Sequence, residues 1–287
     1  MLSTSKTAKG AIFIVLSAFF FALMGLFVQL SGDLPSLQKT FFRNSVAALA
    51  AFVVLLKEGK GFKWQNGSLT YLILRTVFGT IGVLCNFYAL DKMILSDALM
   101  LNKLSPFFAV ILSYFVLKEK INLFQISMVM MALIGSLFII KPTPGLLNSA
   151  SIVGLIGGLG AGAAYTMIRK LSQFKERNSY IVFFFSAMSC VCLLPFQIIG
   201  YVKMSAIELI YLILAGICAT LGQFSITAAY SYAAARDISV YDYTQIIFST
   251  LMSFIVFGTT PDILSVTGYI VICLATVIMF IRNKKVK

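Results

Sequence analysis

Histidine is absent from all 287 residues and tryptophan occurs once. Without imidazole there is no histidine metal ligand, no Ser-His-Asp or Cys-His catalytic set and no imidazole proton relay. Charge is scarce as well: 23 Lys and Arg and 10 Asp and Glu make 11% of the chain, against about 25% in a typical soluble domain. No G-x-x-x-x-G-K-[ST] phosphate loop occurs, so the chain is not expected to hydrolyse ATP. The five cysteines (Cys85, Cys190, Cys192, Cys218 and Cys273) lie inside apolar runs without C-x-x-C spacing. Neither a disulfide framework nor a zinc site is indicated, and they read as packing residues.

What fills the chain instead is apolar surface. Of its residues 60% are apolar, and the mean hydropathy is +0.95. A soluble protein of this length needs a polar coat that these few charges cannot supply. The net charge of +13 could suit nucleic acid, but such binders gather Lys and Arg on one folded face. Here the cations sit between long apolar runs, so the expected partner is the lipid bilayer and no nucleic acid. Lys6 and Lys9 precede an apolar run as in a signal peptide, yet the run from Ala11 to about Leu30 is too long for one.

A hydrocarbon core of roughly 30 Å needs about 20 apolar residues in helix. Ten spans are expected, at 11–31, 36–56, 69–90, 94–117, 122–140, 150–169, 179–201, 206–234, 239–257 and 263–282. Charged clusters such as Lys57-Glu58-Gly59-Lys60 and turn formers such as Pro142-Thr143-Pro144-Gly145 separate them. One set of loops and helix mouths carries Lys6, Lys9, Lys57, Lys60, Lys63, Lys118, Lys120, Arg169, Lys170, Lys175, Arg177, Arg236, Arg282, Lys284, Lys285 and Lys287, sixteen cations. The other carries Lys39, Lys92, Lys141 and Lys203, four. By the positive-inside rule both termini are cytoplasmic in a multi-pass protein of the cell membrane.

A weak internal repeat relates Tyr88-Ala89-Leu90, Ser96-Asp97 and Pro106-Phe107-Phe108 to Tyr232-Ala233-Ala234, Tyr241-Asp242-Tyr243 and Phe248, at a shift of about 144 residues. Five spans per half is an odd number, which gives the two copies opposite topology in the membrane. The halves are taken as residues 1–145 and 146–287.

Several segments together resemble the EamA family of the drug/metabolite transporter superfamily. They are Phe41-Phe42-Arg43-Asn44, Leu74-Arg75 with Gly79, Asn86-Phe87-Tyr88-Ala89-Leu90, Ser96-Asp97-Ala98, Leu104-Ser105-Pro106-Phe107-Phe108, Leu117-Lys118-Glu119-Lys120, Asp242-Tyr243-Thr244-Gln245, Phe257-Gly258 and Pro261-Asp262. The resemblance spans essentially the whole chain. It implies an all-α integral membrane protein, ten transmembrane helices in two inverted five-helix repeats around a central cavity, and secondary transport of a small metabolite. It names no substrate and no cofactor. Two departures stand out: Thr259 where similar proteins often carry Glu, and Thr250 in the place of Pro106. The second predicts that helix 4 is loosened and helix 9 is not.

Ionisable groups at membrane depth each carry a penalty of at least ~2.5 kcal/mol and are the natural site candidates. Lys103 stands about nine residues, or ~14 Å, into helix 4, near the midplane. It either binds an anionic group or changes protonation, or else belongs to a structural ion pair. Arg43 and Arg75 are shallower, and snorkelling also accounts for them. Asp97 and Asp242 occupy nearly corresponding places in the two copies, as opposed gates or as helix N-terminal acids stabilised by the dipole. Three deep cations in the first half suggest a cavity for carboxylate or phosphate, read by Lys103 with Arg43 or Arg75. Proton coupling could run through Asp97, Asp242 or Lys103. Asn102, Gln223, Gln245, Tyr165, Tyr230 and Tyr243 are the uncharged candidates, for a planar or amino-acid-like solute or for interhelical hydrogen bonds. The G-x-x-x-G pairs Gly154–Gly158 and Gly158–Gly162 read as helix packing. Tyr241-Asp242 is similar to the first motif of intramembrane aspartyl proteases, but their G-x-G-D is missing, so no catalytic residue is assigned. An open channel is disfavoured only by the inverted repeat.

Overall fold

The computed structural model describes residues 2–92, 101–140, 149–258 and 261–285. Its helices are α1 (Leu2–Leu30), α2 (Ser36–Glu58), α3 (Leu69–Lys92), α4 (Ser105–Leu117), α5 (Leu123–Ile140), α6 (Ser149–Gln173), α7 (Asn178–Ile199), α8 (Ala206–Tyr232), α9 (Thr244–Phe257) and α10 (Ile263–Lys285). A helical turn at Ala235–Ile238 and a 3-10 turn at Ser239–Tyr243 lead into α9. No strand occurs among the described residues. Eight of the segments are long and apolar enough to cross a membrane, and Ser105–Leu117 and Leu123–Ile139 are shorter apolar helices. The chain is therefore an all-helical, multi-pass membrane protein.

Helix ends fall where the backbone can leave the helical well. Gly59 and Gly258 close α2 and α9 in the left-handed region, at φ 64° and 68°, a conformation that costs glycine little. Ser205 and Glu208 form a reciprocal capping box that opens α8. α1 begins nine residues before the expected span, because the short polar stretch ahead of Ala11 contains no breaker but Gly10.

The packing follows an inverted repeat. α1 packs on α8 and α3 packs on α6, contacts that exchange when the two halves are interchanged, while α2–α7 and α5–α10 pair each helix with its own counterpart. The α4–α6 and α1–α9 contacts are another exchanged pair. The starts of α4 and α9 are 139 residues apart, and their left-handed ends, Lys118 and Gly258, are 140 apart. This corrects the shift of about 144 suggested by the sequence. The expected boundary between the halves, at residue 145, lies outside the described residues.

Glycines in α6 set the close seams. A Cβ on Gly160 would lie 2.9 Å from the Phe78 carbonyl and 3.1 Å from Gly82 Cα of α3, and one on Gly162 would lie 2.8 Å from the Ser105 carbonyl of α4. Gly158, shared by the two G-x-x-x-G pairs, would place a Cβ 2.5 Å from the Leu101 carbonyl, so with Gly162 that spacing serves backbone approach, as expected. The outer surface is apolar, with Ile199, Ile263 and Leu123 each more than three-quarters exposed. Cys192 and Cys273 are exposed there too, so they are not the packing residues expected; Cys218 is buried, and all five cysteines are free.

The cation-bearing connections meet on one face. Arg177 Nη1 pairs with Glu58 Oε2 at 3.2 Å and its Nη2 donates to the Gly61 carbonyl at 2.7 Å. Buried Glu176 accepts from Gln65 N and Ser68 Oγ at 2.8 and 2.7 Å. Arg169 pairs with Glu119 at 3.1 Å, Arg236 donates to the Lys120 carbonyl, and Arg282 lies 3.8 Å over the Phe124 ring. At the other end of the bundle, Gln38 exchanges two hydrogen bonds with the Val202 backbone, at 2.8 and 3.0 Å.

Candidate substrate site

Both halves interrupt the helix that leads to the centre. In the first, residues 101–102 are helical, Lys103 and Leu104 form a turn, and α4 restarts at Ser105. Pro106 stands in the first turn of α4, where its missing N–H removes no intrahelical bond and its fixed φ suits helix initiation. In the second half Ala233 is extended (φ −140°, ψ 157°), and the 3-10 turn ends at Tyr243, the residue before α9. Helix 9 therefore also departs from a regular α-helix, through a 3-10 turn at the place where helix 4 has its turn at Lys103 and Leu104, against the expectation built on Pro106 that only helix 4 is loosened. Proline starts α4 and does not distinguish the halves.

The residues immediately before the two restarts face each other. Lys103 precedes Leu104 as Asp242 precedes Tyr243, and Lys103 Nζ lies 3.2 Å from Asp242 Oδ2. The ammonium also donates to the Asp242 carbonyl at 3.3 Å and to Gln245 Oε1 at 2.6 Å. These acceptors match the three donors of a lysine. Lys103 is 2% exposed and does not line the central cavity, so its charge and its hydrogen bonds are engaged within the protein. Of the two readings left open for it, the ion pair is the one the geometry realises.

The cavity lies between α1, α2, α3, the start of α4, α6, α7, α8 and the start of α9. Its volume is about 100 Å³, and its lining includes Arg43, Arg75, Asn86, Asn102, Tyr165, Gln223, Asp242 and Gln245, with Phe21, Met24, Phe87 and Phe185 as apolar walls. Small-molecule sites are typically roughly 300–1,000 Å³, so the cavity in this conformation is smaller than the site of an ordinary metabolite.

Arg75 is 3% exposed. Its Nη2 donates to Gln223 Oε1 at 3.0 Å, its guanidinium lies 4.1 Å from the centre of the Phe185 ring, and its Nε has no partner. Gly79, one turn along α3, makes room for it: a Cβ there would overlap Arg75 Nη1 and stand 2.9 Å from Phe185 Cε2. Arg43 is 4% exposed; its Nε approaches the Met24 sulfur at 3.2 Å and its Nη1 donates to Asn44 Oδ1 at 3.2 Å. Asn44 is in turn held by Ser189 Oγ of α7 at 2.8 Å. Neither arginine snorkels, and neither has a carboxylate partner among the described residues.

Of the expected site residues, Arg43, Arg75, Asn102, Tyr165, Gln223, Asp242 and Gln245 come together on the cavity. Tyr230 does not; it stacks behind Tyr165 at 5.1 Å and approaches Ser239 Oγ at 3.4 Å. Tyr243 does not either, being fully buried with a hydroxyl that finds no hydrogen-bond partner among the described residues. Asp97 lies outside the described residues, as does Thr259. Asp242 is no peripheral gate: it stands at the centre, where its charge is matched by Lys103. Sequence reasoning left out Asn86, Gly79, Asn44 and Phe185. The first three lie in the segments that carry the family resemblance; Phe185, one of many phenylalanines, has no such signal.

The EamA-like transporter family matches residues 8–141 and 148–281, one copy in each half. The chain belongs to that family. An EamA-like chain with known relatives can be set beside them: it is 29% identical to the pseudopaline exporter CntI of Pseudomonas aeruginosa over 96% of this chain and 97% of that protein. It is 23% identical to the S-adenosylmethionine uptake transporter of Rickettsia prowazekii, over 88% and 85%. A solved crystal structure superimposes with a TM-score of 0.81 at 14% identity, covering 98% of this chain and 99% of the other, which shows the fold alone. The chain is thus a transporter of the drug/metabolite superfamily with the ten-helix, two-repeat architecture.

Proposed function

We propose that this EamA-like chain is a secondary carrier that exports a small organic solute, amino-acid-like or related, across the cytoplasmic membrane by alternating access. The observation that carries the proposal is the polar cavity between inverted halves, at the point where helices 4 and 9 are both interrupted. Broken helices at the midplane, facing a cavity at a repeat interface, are the architecture of substrate sites in carriers. Export is favoured because the likeness to an exporter is greater, in identity and in coverage, than that to an uptake system. The gathering of the cation-rich loops on one face supports cytoplasmic termini.

The test is uptake and counterflow in proteoliposomes with a mixed pool of amino acids, nucleosides and small organic acids, with and without a pH gradient. Saturable flux with counterflow establishes a carrier, and the pH-gradient arm reports proton coupling. Flux proportional to concentration without counterflow would instead mean a pore. Accumulation in cells driven inward, with no efflux from preloaded cells, would replace export by uptake.

A further inference from the structure

The charges around the cavity do not balance among the described residues. Among the described residues, the buried groups at this depth are Arg43, Arg75 and Lys103 against Asp242 alone. Asp242 and Lys103 neutralise each other at 3.2 Å. Two guanidiniums therefore remain, both lining the one cavity, and among the described residues they are met by neutral acceptors: Gln223, Asn44 and the Met24 sulfur. A guanidinium offers five N–H donors. Arg75 uses one on Gln223 and Arg43 uses two, one of them on a thioether, while Arg75 Nε is buried without a partner.

Burying a charge without an opposite one is costly, and truly unpaired buried charges are rare outside functional sites. The protein nevertheless fixes both groups: Phe185 and Gly79 seat the Arg75 guanidinium, and the Ser189–Asn44 hydrogen bond backs Arg43. Groups so held are arranged for an anion that arrives from outside the chain. Guanidinium is the cation whose planar fork matches carboxylate and phosphate oxygens.

We infer that Arg43 and Arg75 together form a dianion subsite, so that the transported solute carries two negative charges, as two carboxylates or as one phosphate monoester. This rests on the carrier reading and, within its small organic solutes, replaces a simple amino acid by a dianion. The Lys103–Asp242 pair takes no part in binding the anion; Asn86, Asn102 and Tyr165 are neutral groups on the cavity for the remainder of the solute. One bound dianion cancels both charges, whereas a monocarboxylate or a zwitterion leaves at least one guanidinium uncompensated.

The full-length protein, purified in detergent, is melted with succinate, glycerol 3-phosphate, butyrate or alanine at matched ionic strength. A ligand that binds only the folded state raises the melting temperature. Succinate or glycerol 3-phosphate is expected to raise it in a saturable way, the two arms separating a dicarboxylate from a phosphate ester, while butyrate and alanine give no shift. Arg43→Gln and Arg75→Gln should each abolish the shift. Arg75→Lys keeps the buried charge and so guards against a folding defect; it is expected to weaken dianion binding at least tenfold. Absence of a shift with either dianion, an equal shift with alanine, or a shift that survives in all three variants would overturn the inference. Counterflow with the same probes separates the two readings. Saturable exchange of alanine alone refutes the dianion subsite and leaves the carrier, whereas dianion binding without any saturable exchange refutes the carrier and leaves the subsite.

Discussion

Lys103 and Asp242 occupy the same place in the two halves, one residue before the N-cap of a restarted helix, and carry opposite charge. Duplication set two equivalent sites side by side at the centre, and two like charges there would repel. Opposite charges instead form a contact that joins the first half to the second. The remaining interior is divided in the same sense. The first half contributes the guanidiniums of Arg43 and Arg75, which have no carboxylate partner among the described residues; the second helps to position them, through Gln223, Phe185 and Ser189. The backbone repeats while the chemistry does not, and the site exists only where the halves meet.

The largest effect should come from breaking the central pair. Lys103→Met leaves Asp242 buried and unpaired, which costs about 3–5 kcal/mol. A loss of that size is expected in the unfolding free energy of the purified protein, read as a lowered denaturation midpoint, together with loss of transport. Lys103→Met combined with Asp242→Asn removes both charges and should recover most of the stability. If the double variant is no more stable than the single one, the two positions are not coupled.

Next is the seam between α3 of one half and α6 of the other. Gly160→Leu drives a side chain toward the Phe78 carbonyl and Gly82 Cα, backbone atoms that cannot swing aside. Overpacking of this kind costs about 1–3 kcal/mol. A lowered melting temperature checks it, and Gly160→Ala should show a smaller drop of the same sign.

Much of this was legible because it is local. Lys57-Glu58-Gly59-Lys60 ends α2 where a charged cluster and a glycine say it should, and the sixteen-to-four cation count separated loops that the structure gathers on one face. What escaped is non-local. Residues 94–117 read as one apolar run, and nothing in that run marks Lys103 and Leu104 as the break, because the acceptors that hold Lys103 lie 139 and 142 residues away. Pro106 misled for a related reason. In a continuous helix it would be a kink, and only the break ahead of it turns it into a first-turn residue. Tyr230 and Tyr243 show the converse, polar groups at membrane depth that pack behind the cavity wall.

A smaller effect, on function more than on stability, is expected at the seat of Arg75. Gly79→Ala places a methyl where Arg75 Nη1 now lies, next to the Phe185 ring of the other half. The guanidinium is the far end of a flexible side chain and can move, so folding should survive. Its hydrogen bond to Gln223 is then strained, and a neutral-acceptor bond of roughly 1 kcal/mol corresponds to about a fivefold change in the transport KM. An unchanged KM would mean that the position of this guanidinium does not matter to the substrate.

The smallest effect separates glycines that the seams need from one that they do not. Gly25 of α1 has nothing within 4 Å of a built Cβ, whereas Gly222 of α8, the helix packed on α1, would meet the Phe21 ring at 2.7 Å. Gly25→Ala therefore removes backbone freedom from the unfolded chain without a steric penalty, a gain of about 0.5–1 kcal/mol. Gly222→Ala must push aside an aromatic that walls the cavity, and should destabilise. The sign of the two melting shifts is the measurement. Opposite signs place the close contact of this helix pair at Gly222 and Phe21, while a loss at Gly25 would show that its exposed face is an interface and not a surface for lipid.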